Sequence, residues 1–492
     1  MKNIKIALAL VLLFSISSCD EFLSETPDNR TQIDTPEKIS ELLVNAYPIG
    51  GTYMDFAETM SDNVGDGRFT GASPNNSQNY NWEMQDDTGV DTQSNYWDAC
   101  YSAIAHANKA LQAIEQLGYP TNLNPQRGEA LLARAYSHFM LVTFWSKQYN
   151  PATAATDLGI PYVTEPENVL IKKYTRNTVA EVYDYIQKDI DEGLKYVTNE
   201  YNQPKFHFNK EAGKAFASRF YLIKGNWAKV IELTEGLGSK PAGKIRDYIA
   251  NTSLGPELQL IDYAKEEHNT NLLIVSSGSI YARSKSSNRY YLNKVKNVEI
   301  FGIESNIYDK DWIYSKYSVT NLRTYFVPKF QEYFKYTNIT ASIGFPFLAT
   351  VLFTNDEFYL NRIEALIMTN RITEANTELE FFLGTRTEGY NPTTDKLTEA
   401  KVVAKYPVIA NEYTPFYAMT PLQTSYVKAI AETKRREFVH EGMRWFDVKR
   451  FNLEVEHDNL NSAINILTKD DKRRVLQIPL SASTNGIEKN PR

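Results

Sequence analysis

Cysteine is nearly missing from this chain: among 492 residues only Cys19 and Cys100 carry a thiol, so no disulfide framework can hold the fold. Long apolar runs are missing too. The stretch Ile6 to Phe14 is far shorter than the ~20 residues that span a bilayer, and no later segment is long enough. Nor does any series of alternating ten-residue strands announce a membrane barrel. Positive charge is outnumbered, with 53 Lys and Arg against 60 Asp and Glu and a formal net charge of −7, which makes a poor partner for nucleic acid. Three chemistry-bearing motifs begin and stop short. His440-Glu441 opens like the zinc pattern H-E-x-x-H, but Arg444 stands where the second imidazole belongs. Gly65-Asp-Gly67 has Thr70 in place of the third glycine of a dinucleotide loop, and Asp62-x-Val64-x-Asp66-Gly67 lacks two of the acids of a calcium loop. With no nucleophile elbow or phosphate loop either, the sequence calls for no catalytic residue, no metal and no cofactor.

What is present is an ordinary globular composition, 42% hydrophobic and 23% charged, on a chain long enough for two or three lobes. Aromatics are in excess. The 32 Tyr and six Trp offer flat apolar faces with polar edges, which suit sugar rings, peptides and interfaces as well as core packing.

Residues 1–18 read as a targeting segment: Lys2 and Lys5, then the apolar run, then small residues before Cys19. Removing them takes away two lysines and no acid, so the remaining chain is more acidic still. Residues 19–35 are polar, with Pro27, and read as a tether. Thr35-Pro36 then opens a helix, with Thr as the cap. A helical part covers 36–238: Trp97, Cys100, Tyr101, Ile104, Ala107, Leu111 and Ile114 recur every three or four residues, and a second helix runs from Gln126 to about Trp145. Cys100 and His138 fall on apolar faces and read as core residues. Asn177-Thr178 caps the next helix. The turn Gly225-Asn226-Trp227, with Tyr221 before it, resembles the middle of a tetratricopeptide repeat, and Asn370-Arg371 repeats the pattern later, Asn tolerating the left-handed geometry. Such hairpins bury their faces only on each other, so stacking is expected. Residues 239–353 differ: short β-like runs at 272–275, 324–327 and 350–353 lie between polar, Tyr-rich loops. Residues 354–492 return to helix. The expected fold is therefore mainly α, tetratricopeptide-like stacked hairpins carrying an irregular, partly β second lobe.

Aromatics on polar loops are the ligand candidates, because loops carry function on a rigid scaffold. The loop 61–91 supplies Phe69, Tyr80 and Trp82; the second lobe supplies Tyr290, Tyr291, Trp312, Tyr314 and Tyr317. Trp82 and Trp312 are the foremost pair.

The densest stretch is Thr433 to Phe451, TKRREFVHEGMRWFDVKRF. Read as one helix, it puts Phe438, Gly442, Trp445 and Lys449 on one stripe and Val439, Phe446 and Arg450 on the next, with Glu441–Arg444 and Asp447–Arg450 at ion-pair spacing. Gly442 marks a place where another element approaches the backbone. Carboxylates among arginines are held ionised rather than poised for proton transfer, so Glu437 and Glu441 read as parts of a staple.

That stretch resembles the C-terminal signature of the SusD/RagB family of outer-membrane nutrient-binding lipoproteins. The match rests on Arg435, Arg436, Glu437, Phe438, Glu441, Gly442, Arg444, Trp445, Phe446, Asp447, Lys449 and Arg450, while Thr433, Lys434 and His440 depart from it. Residues 128–145, Ile160-Pro161 and the closing Ile478-Pro479 and Asn490-Pro491 resemble further family elements, and Ile16-Ser17-Ser18-Cys19 resembles a lipobox with Cys19 as the lipidated residue. The resemblance implies a non-catalytic lipoprotein on the outer face of the outer membrane. Such a protein captures a nutrient, glycan or peptide, and sits as a lid on a SusC-like TonB-dependent transporter; the stacked hairpins offer the long surface for that contact, so docking is expected through the helical lobe rather than the Tyr-rich one, which is left for ligand. A surface glycoside hydrolase and a protein-binding repeat scaffold are the competing readings, since two catalytic carboxylates have no sequence spacing of their own.

Overall fold

The structure is a computed structural model that describes residues 33–68, 71–167, 172–319, 324–459 and 462–492. The targeting segment, the Cys19 lipidation site, nearly all of the tether and Phe69 lie outside the described residues.

Helices begin and end where local chemistry asks them to. Helix α1 (Pro36–Leu43) starts at Thr35, whose side chain accepts the Lys38 N–H, with proline in the first turn. After α2 (Met54–Thr59) come the long helices α3 (Gln93–Gln116) and α4 (Asn124–Trp145), and then α5 (Val179–Gly193), which opens on a capping box between Thr178 and Glu181. Helix α6 (Lys210–Lys224) starts at Asn209 and stops at Gly225, whose φ of 78° turns the chain into α7 (Trp227–Thr234). Helices α8 (Asn355–Met368) and α9 (Ile372–Gly384) repeat that hairpin, and Asn370 takes the left-handed position at φ 61°. Helices α10 (Pro421–Glu437) and α11 (Arg444–Arg450) follow. Successive elements pack face to face: α3 on α4, α4 on α5, α6 on α7, α7 on α8, and α8 on both α9 and α10. This is the stacking that half-buried hairpins require.

The β structure is small and antiparallel. Strands β1 (Gly65–Asp66), β2 (Asn271–Gly278), β3 (Tyr290–Tyr291), β4 (Tyr317–Val319), β5 (Thr324–Phe326), β6 (Glu332–Asn338), β7 (Ile343–Thr354), β8 (Val455–Asn459) and β9 (Ser462–Leu467) make one three-stranded sheet, β2-β7-β6, and the pairs β1-β3, β4-β5 and β8-β9. The β-like runs read from the sequence fall in or beside β2, β5 and β7. The apolar core is continuous between helices and sheet: Phe353 of β7 lies 5.6 Å from Tyr136 of α4 and 5.8 Å from Phe216 of α6, ring centre to ring centre. Cys100 is buried there, and burial pushes its thiol pKa up. His138 is a satisfied core histidine: Nδ1 donates to the Arg134 carbonyl at 2.9 Å, Nε2 accepts the Val163 N–H at 3.0 Å, and burial pushes its pKa down to about 3.

One element departs from the sequence reading. Thr433–Phe451 is not one helix but two, α10 and α11, separated by a turn over residues 438–443. The break is enforced from outside. The Glu58 carboxylate accepts the N–H groups of His440 (2.8 Å) and Gly442 (3.1 Å), and both residues are left-handed, at φ 71° and 68°. A Cβ on Gly442 would lie 2.9 Å from Ala57 Cβ and 3.2 Å from the Tyr53 ring, so the close approach expected at this glycine comes from α2. The turn also separates Glu441 from Arg444, which find other partners, while Asp447–Arg450 pairs within α11 at 2.7 Å.

Candidate functional site

The signature residues reach in four directions. Arg444 holds Asp62 through two parallel 2.8 Å hydrogen bonds, and Arg435 donates to Asn63, to the Asp62 carbonyl and to Glu299. Glu437 accepts from Arg386 Nε at 2.8 Å and from the Tyr314 hydroxyl at 2.6 Å; Arg386 also meets Asp356. Glu441 accepts from Lys329 at 2.5 Å and from the Tyr263 hydroxyl at 2.6 Å. Trp445 is fully buried, and Lys449 donates to the carbonyls of Thr143 and Ser146 at the end of α4. Burial alone would raise the Glu437 carboxyl, but the Arg386 guanidinium overrides it and holds it below the usual carboxylate range. A carboxylate fixed in that state is a strut, not an acid. Through Tyr263, Tyr314 and Lys329 the cluster ties the irregular lobe to the helices.

The loop aromatics chosen from the sequence turn inward. Tyr290, Tyr80, His457 and Trp82 form a column of parallel rings with centres 3.9, 3.9 and 4.4 Å apart. The Arg289 guanidinium caps the Tyr290 end at 5.3 Å and Arg473 the Trp82 end at 5.5 Å. The Trp82 indole N–H donates to the Met60 carbonyl, and the Tyr80 hydroxyl to the Asp458 carbonyl. Tyr80, Trp82 and Tyr290 are all at most 8% exposed. With each face of these rings covered, Tyr80, Trp82 and Tyr290 cannot stack on a ligand; the stretch read as a loop holds a helix, Pro74–Tyr80, and the column fastens its end to β3 and β8. Tyr291 is buried against Gly67. Trp312 is 4% exposed, with the Arg436 guanidinium 3.9 Å over its ring and its N–H donated to Ser305, and Tyr314 is buried on Glu437. These placements correct the ligand-stacking reading of all six residues. Only Tyr317, half-buried on the β4-β5 hairpin and accepting from Gln259 at 3.1 Å, keeps access to solvent.

A concavity of ligand size lies elsewhere. A half-open groove of about 540 Å³ runs along α3, floored by Trp97, Tyr101 and Ile104 and walled by Val163, Tyr174 and Ile487. The sequence marks Trp97, Tyr101 and Ile104 as the inner face of a helix. What it does not show is that residues 161–167, 172–174 and the C-terminal residues 482–487 border that face without filling it. The one sequence signal was an i,i+4 pair of large aromatics, which core packing explains equally well. Among the described residues no group of three His, Cys, Asp or Glu side chains is placed to hold a metal, and no helix is long and apolar enough to cross a membrane.

No curated protein sequence matches the chain. Residues 21–222 match a SusD-like family model described as "Starch-binding associating with outer membrane". Solved structures match over nearly the whole length. A SusD superfamily protein from Bacteroides thetaiotaomicron, 19% identical, aligns with a TM-score of 0.68 over 93% of this chain and 100% of its own. One from Bacteroides fragilis, 18% identical, aligns at 0.64 over 93% and 99%. A SusD-like carbohydrate binding protein from Bacteroides vulgatus, 14% identical, aligns at 0.63 over 92% and 96%. At these identities a structural match establishes the fold. Residues 21–222 thus match a SusD-like family model, and the chain carries the fold of the SusD superfamily structures over nearly all of its length.

Proposed function

We propose that this protein is a non-catalytic capture subunit. Held at the outer membrane by lipid on Cys19, it binds a carbohydrate nutrient and passes it to a SusC-like TonB-dependent transporter. The observation that carries the reading is the joint one of a SusD-superfamily fold over 93% of the chain and a family model described as starch-binding and associated with the outer membrane. Two features of the molecule support it. Glu437 and Glu441, the carboxylates most concentrated in the sequence, are tied to Arg386, Lys329 and tyrosine hydroxyls rather than facing a cavity. The β6-β7 hairpin exposes Phe334 and Tyr336 on one face and Tyr333 and Phe345 on the other, with Ile339 and Ile343 near its tip, apolar side chains of the kind a docked partner covers. We therefore place the transporter contact on this hairpin as well as on the helical lobe.

Affinity electrophoresis through gels containing starch, other neutral polysaccharides or none, with assay of reducing ends in the same lanes, tests the reading. Retarded migration without new reducing ends is expected. New reducing ends would make the protein a hydrolase, and unretarded migration in every gel would leave the repeat-scaffold reading.

A further inference from the structure

We propose that the signature helices frame a binding site for one small anion of chloride's size. The site is a cavity lined by side chains from α6, α8, α10 and α11 and from the turn between the last two, and every lining residue except Met443 is buried. It leaves about 20 Å³ to the centre of a water-sized sphere. That is room for one monatomic guest and too little for phosphate, a carboxylate group or a sugar.

The lining sets the guest's charge. Four cations, Arg219, Lys434, Arg444 and Arg450, face two carboxylates, Glu357 and Asp447. Both carboxylates are already engaged: Glu357 takes Nε and Nη2 of Arg219 at 2.6 Å each, and Asp447 takes Arg450 Nε at 2.7 Å. Glu364, which pairs with Lys434 and Arg450, and Asp62, which pairs with Arg444, are not part of the lining. Donors are in surplus as well. Among the described residues Nη1 of Arg219 and Nη1 of Arg444 are buried without a hydrogen-bond partner, although the other two nitrogens of each guanidinium are paired. Each of these nitrogens carries two N–H groups, and the two arginines are at most 5% exposed, so bulk water does not satisfy them. A water molecule in the cavity would accept from them but would have to direct its own protons at Phe438, Phe446 and Met443, or at carboxylates that already serve guanidinium groups. A halide accepts from every side and has no proton to place. Bound there, it joins α6 and α8 to α10 and α11 through a contact that the ion pairs do not make.

Two measurements test the site. Crystals of the protein grown in sodium bromide, with diffraction recorded at the bromine absorption edge, should show an anomalous peak within hydrogen-bonding distance of both Nη1 atoms; ordered water or no density there would overturn the proposal. In solution, urea unfolding is followed as chloride replaces gluconate, an anion too large to enter, at constant total salt so that screening is unchanged. For one ion per chain, a tenfold rise in chloride above its dissociation constant should lower the unfolding constant about tenfold. Arg444→Lys keeps the charge facing Asp62 and removes Nη1, so its midpoint should not respond to the exchange. Equal stability of the wild type in chloride and gluconate, or an undiminished chloride response in folded Arg444→Lys, would overturn the site. Should that variant fail to fold, the bromide peak and the wild-type titration decide.

Discussion

Glu437→Ala is the most informative single perturbation of the staple. The Glu437 carboxylate faces Arg386, a side chain with 0% exposure, through Nε at 2.8 Å and Nη2 at 3.1 Å, and it takes the Tyr314 hydroxyl at 2.6 Å. Truncation leaves a buried guanidinium with Asp356 as its one remaining carboxylate and orphans a phenolic hydroxyl. Breaking a buried ion pair costs about 3–5 kcal/mol, and an unsatisfied buried hydroxyl about 1–3. Because both losses share one carboxylate they overlap, and a total of about 4 kcal/mol is expected. Urea unfolding followed by circular dichroism measures it as a lower midpoint at unchanged slope. Tyr314→Phe alone should cost about 1 kcal/mol, and the double variant should cost less than the sum. A cost below about 1 kcal/mol for Glu437→Ala would refute the staple, since a removable carboxylate cannot be what holds the lobes together.

Four further outcomes are expected. Gly442→Ala should destabilise by about 1–3 kcal/mol in the same urea assay, because alanine is strained at φ 68° and its Cβ meets Ala57. Acid should act through Glu364: burial would raise its carboxyl, but Arg450 and Lys434 hold it at about 2 against an ordinary 4.5. A depressed carboxylate stabilises the fold above its unfolded pKa, so on the order of 3 kcal/mol should be lost as pH falls from about 4.5 to 2. Glu364→Gln should flatten the stability curve in that window. Tyr336→Glu combined with Phe345→Glu, both on the exposed hairpin, should leave the urea midpoint within about 0.5 kcal/mol of wild type and reduce co-purification with an outer-membrane barrel after mild detergent extraction. Cys19→Ala should move the protein from the membrane pellet to the soluble fraction, and full retention in the pellet would argue against the lipid tether.

What the sequence disclosed was whatever is decided locally. Thr35 and Thr178 each cap the helix they precede, and Gly225 and Asn370 both turn left-handed, because caps and turns are settled by a few neighbouring residues. The signature residues were legible as ion-pairing groups, but their partners Asp62, Lys329 and Arg386 come from other segments. The turn at His440 and Gly442 was hidden for the same reason: Glu58, almost four hundred positions earlier, supplies the acceptor that ends the helix. Polarity of the surrounding loop made Trp82 look exposed. Its burial depends on His457 and Arg473, which reach it only after the chain has folded back. The groove on α3 belongs to the same class of feature, formed by three segments distant in sequence.

Capture without chemistry is the central claim, and one mixture tests it most directly. Full-length protein is titrated with the oligosaccharide it binds best while reducing ends are counted in the calorimeter cell over several hours. A saturable heat at one site per chain with no rise in reducing ends is the predicted result. A steady rise in reducing ends, or no heat from any carbohydrate tried, would contradict it.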